Sequence, residues 1–301
     1  MLLADFIRES TLSLESLYPE KEAHGIVLML CGALLGTKSY THIIDPGFTV
    51  DPKQEKLLSE AVSRLMTAEP IQYVIGYEEF HGRRFKVCPD VLIPRPETEL
   101  MVMEAVSEAA RIQRMRTAYG SQAKPVRILD LCTGSGCIAW TMAFDVPGAV
   151  VVAVDISEEA LSVASSQFSS REIEACPGVS APHFIKADVL DTEQPFPYDE
   201  FDIILSNPPY IMESEKAEMR RNVLEHEPSL ALFVPDEDPL LFYRAIASWS
   251  ERLLAPDGFG FSEINEMLGP RTAAVFKASG MRKAEIVKDL SSKDRFITYS
   301  R

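Results

Sequence analysis

An α/β fold is what this sequence predicts: a mostly parallel sheet with helices on both faces, preceded by a small helical bundle. Three observations carry that expectation. After Pro125, strand-like and helical patterns alternate; before residue 71, only helical spacing occurs; between the two lie short runs with the two-residue period of a hairpin. At 301 residues the chain has room for one large domain or two ordinary ones.

Taken in order, Leu2, Leu3, Phe6, Ile7 and Leu12 recur at near-helical spacing, as do Ile26, Val27, Leu30, Leu34 and Leu35, then Leu57, Leu58, Ala61, Leu65 and Met66. Asp51-Pro52 reads as an N-cap followed by proline at the first helical position, and Tyr18-Pro19 and Asp45-Pro46-Gly47 break the helices. From Ile71 to Pro94 the runs Gln72–Gly76, Glu78–Phe80 and Phe85–Val87 are short and alternating, with His81-Gly82-Arg83 as a turn, so residues 71–94 read as a hairpin connector. A helix is expected from Thr98 or Glu97 through Val106, and the polar, basic stretch Ala110–Lys124 reads as a loop. Beyond Pro125, strands are expected at 126–131, 150–155, 183–187, 201–206, 257–263 and 295–300. Helices are expected at 136–143, 157–168, 239–254 and 268–279.

Composition narrows the class. Hydrophobic content of 46% and charged content of 25% are ordinary for a globular chain, and no apolar run approaches the ~18 to 20 residues of a membrane helix. The N-terminus has no basic region ahead of an apolar one, so no secretory signal is expected. Five cysteines, an odd number without a C-x-x-C pair, point away from a zinc site or disulfide framework and toward a reducing cytoplasm. A net charge of −15, from 45 acidic and 30 basic residues, repels phosphate backbones and opposes direct nucleic-acid binding.

Chemistry concentrates at strand ends. The apolar run Phe201–Leu205 ends in Ser206-Asn207-Pro208-Pro209-Tyr210. Two prolines cannot continue a ladder, and each restrains the residue before it, so the turn holds Asn207 stiffly at the carboxyl end of a strand. The Asn207 carboxamide oxygen, the Pro208 carbonyl and the face of Tyr210 form a set that can accept both N–H bonds of a planar amino group and stack on its plane. Upstream, Val126–Leu131 runs through Cys132-Thr133-Gly134-Ser135-Gly136 into a helical pattern, a G-x-G turn without the third glycine of a dinucleotide site. Asp130 ahead of that turn would repel a pyrophosphate but suits a sulfonium ligand with an α-amino group. Asp155 ends the next strand about 20 residues beyond Gly136, where an acid accepts bonds from ribose hydroxyls. A third strand ends at Asp188-Val189, an acceptor for an adenine amino group beside an apolar contact for its ring. Four such strand ends in succession point to S-adenosylmethionine.

Asp130–Gly136, Asp155, Asp188 and Asn207–Tyr210 together resemble class I methyltransferases acting on amide or amine nitrogen. Ile93-Pro94-Arg95-Pro96-Glu97-Thr98-Glu99 resembles the signature of the protein-(glutamine-N5) methyltransferases of the HemK/PrmC type. His226–Leu232 and Lys293-Asp294-Arg295 are similar to further segments of that family, so the likeness covers nearly the whole chain. It implies a Rossmann-like, mostly parallel seven-stranded sheet in a catalytic domain spanning 95–301, and a substrate-recognition bundle over 1–70. The implied reaction carries a methyl group from S-adenosylmethionine, leaving S-adenosylhomocysteine, to the glutamine amide of the Gly-Gly-Gln motif in peptide chain release factors. The enzyme is expected to be a cytoplasmic monomer with the release factor as partner, without metal or membrane association. Expected catalytic residues are Asn207, Pro208 and Tyr210, with Pro209 joining them against the substrate. The expected cofactor set is Asp130, Leu131, Cys132, Thr133, Gly134, Gly136, Asp155, Ile156, Asp188, Val189 and Asn207, with Arg95, Glu97 and Thr98 organising the pocket floor. His226 is expected to be structural or at the entrance.

Cys132 stands where many members of the family have glycine, and the D-L-C-T-G-S-G-C form is also similar to the sister enzymes that methylate a large-subunit ribosomal protein. The P-R-P-E-T-E stretch favours the release-factor branch. An adenine-N6 nucleic-acid methyltransferase shares the N-P-P-Y turn but requires a basic groove that this acidic chain lacks beyond Arg111–Arg116. A non-catalytic scaffold fits poorly because every expected site residue is present, and a dehydrogenase fits worst without the third glycine.

Overall fold

The structure is a computed structural model that describes residues 1–118 and 124–301. It comprises two compact units, one formed by Met1–Tyr77 with Met219–Glu227, the other by Glu78–Glu218 with Pro228–Arg301. Among the described residues no helix is long and apolar enough to cross a membrane.

The first unit is helical: Leu3–Leu14, Glu20–Leu35 and Pro52–Leu65, with short turns of helix at Thr41–Ile44 and Ile71–Ile75. Their apolar faces meet in a core that includes Leu3, Phe6, Leu14, Val27, Leu30, Leu58 and Leu65. Asp51 caps Pro52–Leu65 through Oδ1, which accepts from the N–H groups of Lys53 at 2.8 Å and Gln54 at 3.1 Å, satisfying two of the donors that a helix start leaves free. The segment Met219–Glu227 belongs to this unit: Arg220 pairs with Glu22 at 2.5 Å, and the His226 ring lies 3.0 Å from the Thr67 carbonyl oxygen. His226 thus makes a contact within this unit. The strand-like run Gln72–Gly76 instead contributes to a helical turn, Ile71–Ile75, closed by Gly76. Pro70 opens the turn, Ile71 and Tyr73 are buried, and Gly76 ends it with φ +83, so packing overrides the β-leaning composition.

The expected hairpin is formed by Tyr77–Phe80 and Arg83–Lys86, which from Glu78 onward belong to the second unit. His81 and Gly82 both have positive φ, 47 and 72, the backbone of a tight two-residue hairpin turn. The helix that follows, Thr98–Ala118, runs on through much of the stretch expected as a loop. Met101, Ala105, Ala109 and Ile112 are buried along one face, and the charges occupy the other. Part of the expected loop, 119–123, lies outside the described residues.

Seven strands form one sheet: β1 (Arg127–Leu131), β2 (Val150–Asp155), β3 (His183–Lys186), β4 (Phe201–Ser206), β5 (Leu254–Glu263), β6 (Lys283–Lys288) and β7 (Asp294–Ser300). Their order is β6-β7-β5-β4-β1-β2-β3. β7 is antiparallel to both its neighbours, and the other pairings are parallel. β6, flanked by Lys283 and Lys288, is an edge strand that the sequence reading did not anticipate. Cores lie on both faces, one around Phe85, Met101, Trp140 and Phe296, the other around Leu129, Val152, Tyr243 and Trp249. Because the chain proceeds outward from β1 to β3 and returns on the other side at β4, the order reverses between β1 and β4. A ligand crevice forms outside the carboxyl ends of strands at such a point.

Candidate active site

β1 delivers the chain into the turn Cys132–Gly136. The Thr133 N–H donates to the Val154 carbonyl at 2.9 Å, and the Gly136 N–H to the Thr133 carbonyl at 2.9 Å, closing the turn over the end of β2. Cys132, Gly134 and Gly136 all have positive φ, 63, 53 and 79. At Gly136 a Cβ would also sit 2.9 Å from the Cβ of Ala164 and 3.2 Å from Cδ1 of Trp140, so only glycine fits there. The helices Cys137–Asp145 and Glu158–Ser165 are drawn together at this point, and the Trp140 indole donates to the Ala164 carbonyl at 2.7 Å.

Asp155 is held from two sides: Oδ2 accepts from the Gly134 N–H at 2.8 Å and Oδ1 from the Ser157 N–H at 3.0 Å. Burial raises its carboxyl above the usual range, and those backbone donors pull it back down. Asp188 accepts from the Leu190 N–H at 2.9 Å through Oδ1 and has Oδ2 unengaged among the described residues. Burial and the neighbouring Asp155 and Asp130 carboxylates push the Cys132 thiol well above its ordinary value.

A cavity of about 320 Å³ opens here. Of the anticipated residues it is lined by Arg95, Thr98, Cys132, Thr133, Gly134, Asp155, Ile156, Asp188, Val189, Asn207 and Pro209. Asp130, Leu131, Gly136, Pro208, Tyr210 and Glu97 do not line it. The β1 register explains the first two: Asp130 pairs with Ala153 and Leu205 and Leu131 with Val154 and Ser206, so both sit inside the sheet and are wholly buried. Asp130 accepts from the Thr133 hydroxyl at 2.6 Å through Oδ2, while its Oδ1 is buried with no partner. Burial pushes its carboxyl to about 7. Pro208 is buried, Glu97 is exposed, and Tyr210 is half-buried.

The Asn207 end of β4 is tied into a network that sequence reasoning missed. Asn207 Nδ2 donates to Thr98 Oγ1 at 3.3 Å, the Thr98 hydroxyl donates to Glu263 Oε2 at 2.7 Å, and the Tyr210 hydroxyl donates to Glu263 Oε1 at 2.8 Å. Glu263 ends β5 and is 1% exposed. Burial raises its carboxyl, against the lowering effect of the Thr98 and Tyr210 bonds and the Arg295 charge. The signal available in the sequence was an acid at the end of a fifth expected strand.

The lining suits S-adenosylmethionine. Asp155 and Asp188 offer acceptors for hydroxyl and amino groups, and Ile156 and Val189 offer apolar faces for a ring. The carboxylates of Asp90, Asp155, Glu159 and Asp188, against Arg95 as the single lining cation among the described residues, suit a cationic ligand. A seven-stranded sheet of this order with such a cavity at its switch point defines a class I, S-adenosylmethionine-dependent methyltransferase. A family model described as the methyltransferase small domain matches residues 113–229, and one described as the PrmC N-terminal domain matches residues 5–76. The chain belongs to the release factor glutamine methyltransferase family. It is 38% identical to the release factor glutamine methyltransferase of Bacteroides thetaiotaomicron over 98% of both chains. It is 36% identical to that of Flavobacterium psychrophilum, over 99% of this chain and 98% of that one. For the fold alone, the hMettl16 catalytic domain in complex with MAT2A 3′UTR hairpin 6 superposes with a TM-score of 0.51, at 11% identity over 81% of each chain.

Proposed function

We propose that this chain methylates the side-chain amide nitrogen of the glutamine in the Gly-Gly-Gln motif of a peptide chain release factor. The observation that carries the reading is the Asn207 carboxamide in the cavity wall, its Nδ2 engaged by Thr98 and its Oδ1 without a protein partner among the described residues. That oxygen is an acceptor facing no competitor, of the kind a planar amino group requires.

S-adenosylmethionine, when bound, supplies an electrophilic methyl group. An amide nitrogen is a weak nucleophile because its lone pair is delocalised into the carbonyl. Asn207 Oδ1 and the Pro208 carbonyl each accept one N–H, which fixes the amide plane and presents its face to the cavity. Such placement removes rotational and translational freedom worth several kcal/mol. The same acceptors stabilise the positive charge that grows on nitrogen. No general base acts beforehand, since an N-methylated, protonated amide is strongly acidic and releases its proton to water. Asp155 and Asp188 hold the donor's ribose and adenine, and Arg95 contributes to the pocket floor. The helical segment 1–70 docks the factor, and the enzyme's net charge of −15 suits a partner with a basic surface.

The test offers labelled S-adenosylmethionine with a purified release factor, the same factor with its motif glutamine replaced, and the large-subunit ribosomal protein. Label in the intact factor alone is expected. Label in the ribosomal protein moves the assignment to the sister enzymes, and label in neither removes the glutamine reading. Asn207→Ala is expected to lower kcat by about 100-fold or more with cofactor affinity nearly unchanged.

A further inference from the structure

We infer that Glu263 and Thr98 are positioning residues that set which end of the Asn207 carboxamide meets the substrate. The inference rests on the proposed reading of Asn207 as the acceptor for the substrate amide and concerns how that acceptor is oriented.

The two ends of an asparagine side chain have nearly the same shape and opposite hydrogen-bonding sense, so only neighbours can choose between them. Here the choice is forced from a distance. Glu263 is buried at the end of β5, and both its oxygens accept, Oε2 from Thr98 and Oε1 from Tyr210. Thr98 has one hydroxyl proton, and at 2.7 Å it is given to Glu263 Oε2. The Thr98 oxygen can then only accept from its other side. Asn207 Nδ2, 3.3 Å away, supplies that bond, and the carboxamide oxygen takes the free branch. The reversed amide would set its oxygen against the Thr98 oxygen with no proton between them. The other carboxylate oxygen takes the Tyr210 hydroxyl at 2.8 Å, so one buried group anchors both Asn207, through Thr98, and the ring of Tyr210 directly.

A carboxamide at position 263 removes the constraint. Its nitrogen can donate to Thr98, whose proton then turns to Asn207 and accommodates the reversed amide, presenting N–H groups where the substrate's own N–H groups must bind. Thr98→Val deletes the link while keeping its shape.

The experiment measures kcat and KM for the release factor, the cofactor dissociation constant and thermal stability in Glu263→Gln, Thr98→Val and the double variant. Each single change is expected to lower kcat about 10- to 100-fold, with KM and cofactor affinity within about threefold. The double variant falls no further, because both break one chain of bonds; independent packing losses would multiply. Thr98→Ser, which keeps the hydroxyl, recovers most of what Thr98→Val loses. Wild-type kcat in either single variant, multiplicative losses in the double, or a loss confined to melting temperature and cofactor binding overturns the proposal. A readout independent of the methyl acceptor is exchange of the Asn207 side-chain amide protons by NMR, assigned against Asn207→Asp. Protection in the wild type that disappears in Thr98→Val supports the proposal; equal exchange in both sinks it. Failure of the wild type to methylate the factor instead removes the functional reading and leaves this second readout standing.

Discussion

Alanine at Gly136 separates two burdens that the turn Cys132–Gly136 places on its glycines. At Gly134, φ is +53 and an added Cβ would meet nothing within 4 Å, so Gly134→Ala carries only the cost of a left-handed backbone, about 1 kcal/mol. At Gly136, φ is +79 and the Cβ would fall 2.9 Å from the Cβ of Ala164 and 3.3 Å from its Cα. That backbone atom belongs to the helix Glu158–Ser165 and cannot swing aside, so overpacking adds about 1 to 3 kcal/mol. Gly136→Ala is therefore expected to destabilise by about 2 to 4 kcal/mol, roughly 4 to 16 °C in Tm for a unit of this size. Denaturant melts of both variants, followed by the fluorescence of Trp140 and Trp249, measure the difference directly. Cofactor affinity should fall with Gly136→Ala as well, because Thr133 and Gly134 of the same turn line the cavity. Equal losses for the two variants would refute the argument, since they would show that the helix gives way freely.

Other groups yield further expectations. Asp130 has a carboxyl raised from 3.8 to about 7 by burial, so the stability its protonated form provides is present below pH 4 and lost as pH rises toward 7; the difference is on the order of 4 kcal/mol. Melts of cofactor-free Asp130→Asn across that window should lack the wild-type slope, whatever the height of the plateau, and an unchanged slope would assign it elsewhere. Burial pushes the Cys137 thiol to about 12 and Cys132 well above its ordinary value. At pH 7.5 Cys137 should alkylate at least 100-fold more slowly in the native protein than in the unfolded chain, as mass spectrometry of the labelled peptides would show. Leu58 is 0% exposed in the bundle core, and Leu58→Ala should cost about 2 to 5 kcal/mol in a melt of the helical unit. Cofactor titration should be unaffected, because the cavity is lined by residues of the other unit.

What the sequence disclosed followed from how local each signal was. Asp51-Pro52, His81-Gly82 and the successive strand ends at Asp155, Asp188 and Asn207 are decided within a few residues, and the structure has a cap, a hairpin turn and a cavity there. Ala105, Ala109 and Ile112 line the buried face of a helix, but alanines among arginines are a faint apolar stripe, and the stretch from Ala110 resembled a loop. Lys283–Lys288 was missed because an edge strand keeps one side for solvent and begins and ends in lysine, which blurs the alternation. Ile71–Ile75 misled in the other direction: its β-branched residues pack a bundle core, and Gly76 supplied a helix-stop signal that outweighed them. In the sequence Glu263 is only an acid ending an expected strand, and its partners are beyond local reasoning. Its hydrogen bond to Thr98 joins residues 165 positions apart, and nothing on either side of Glu263 in the chain announces a partner.

The unengaged oxygen of Asn207 also bears on stoichiometry. In the proposed binding mode a primary amide brings two N–H bonds to the turn, and orientation depends on both being accepted. One transfer leaves a single N–H, and the new methyl group occupies the place of the other. The product can then satisfy only one of the two acceptors or turn its methyl group into the wall where Asn207 and Pro209 stand. A second donor molecule would find no correctly presented nitrogen. On the proposed reading of Asn207, the chain would thus count to one, because the same atoms that admit the substrate decline the product.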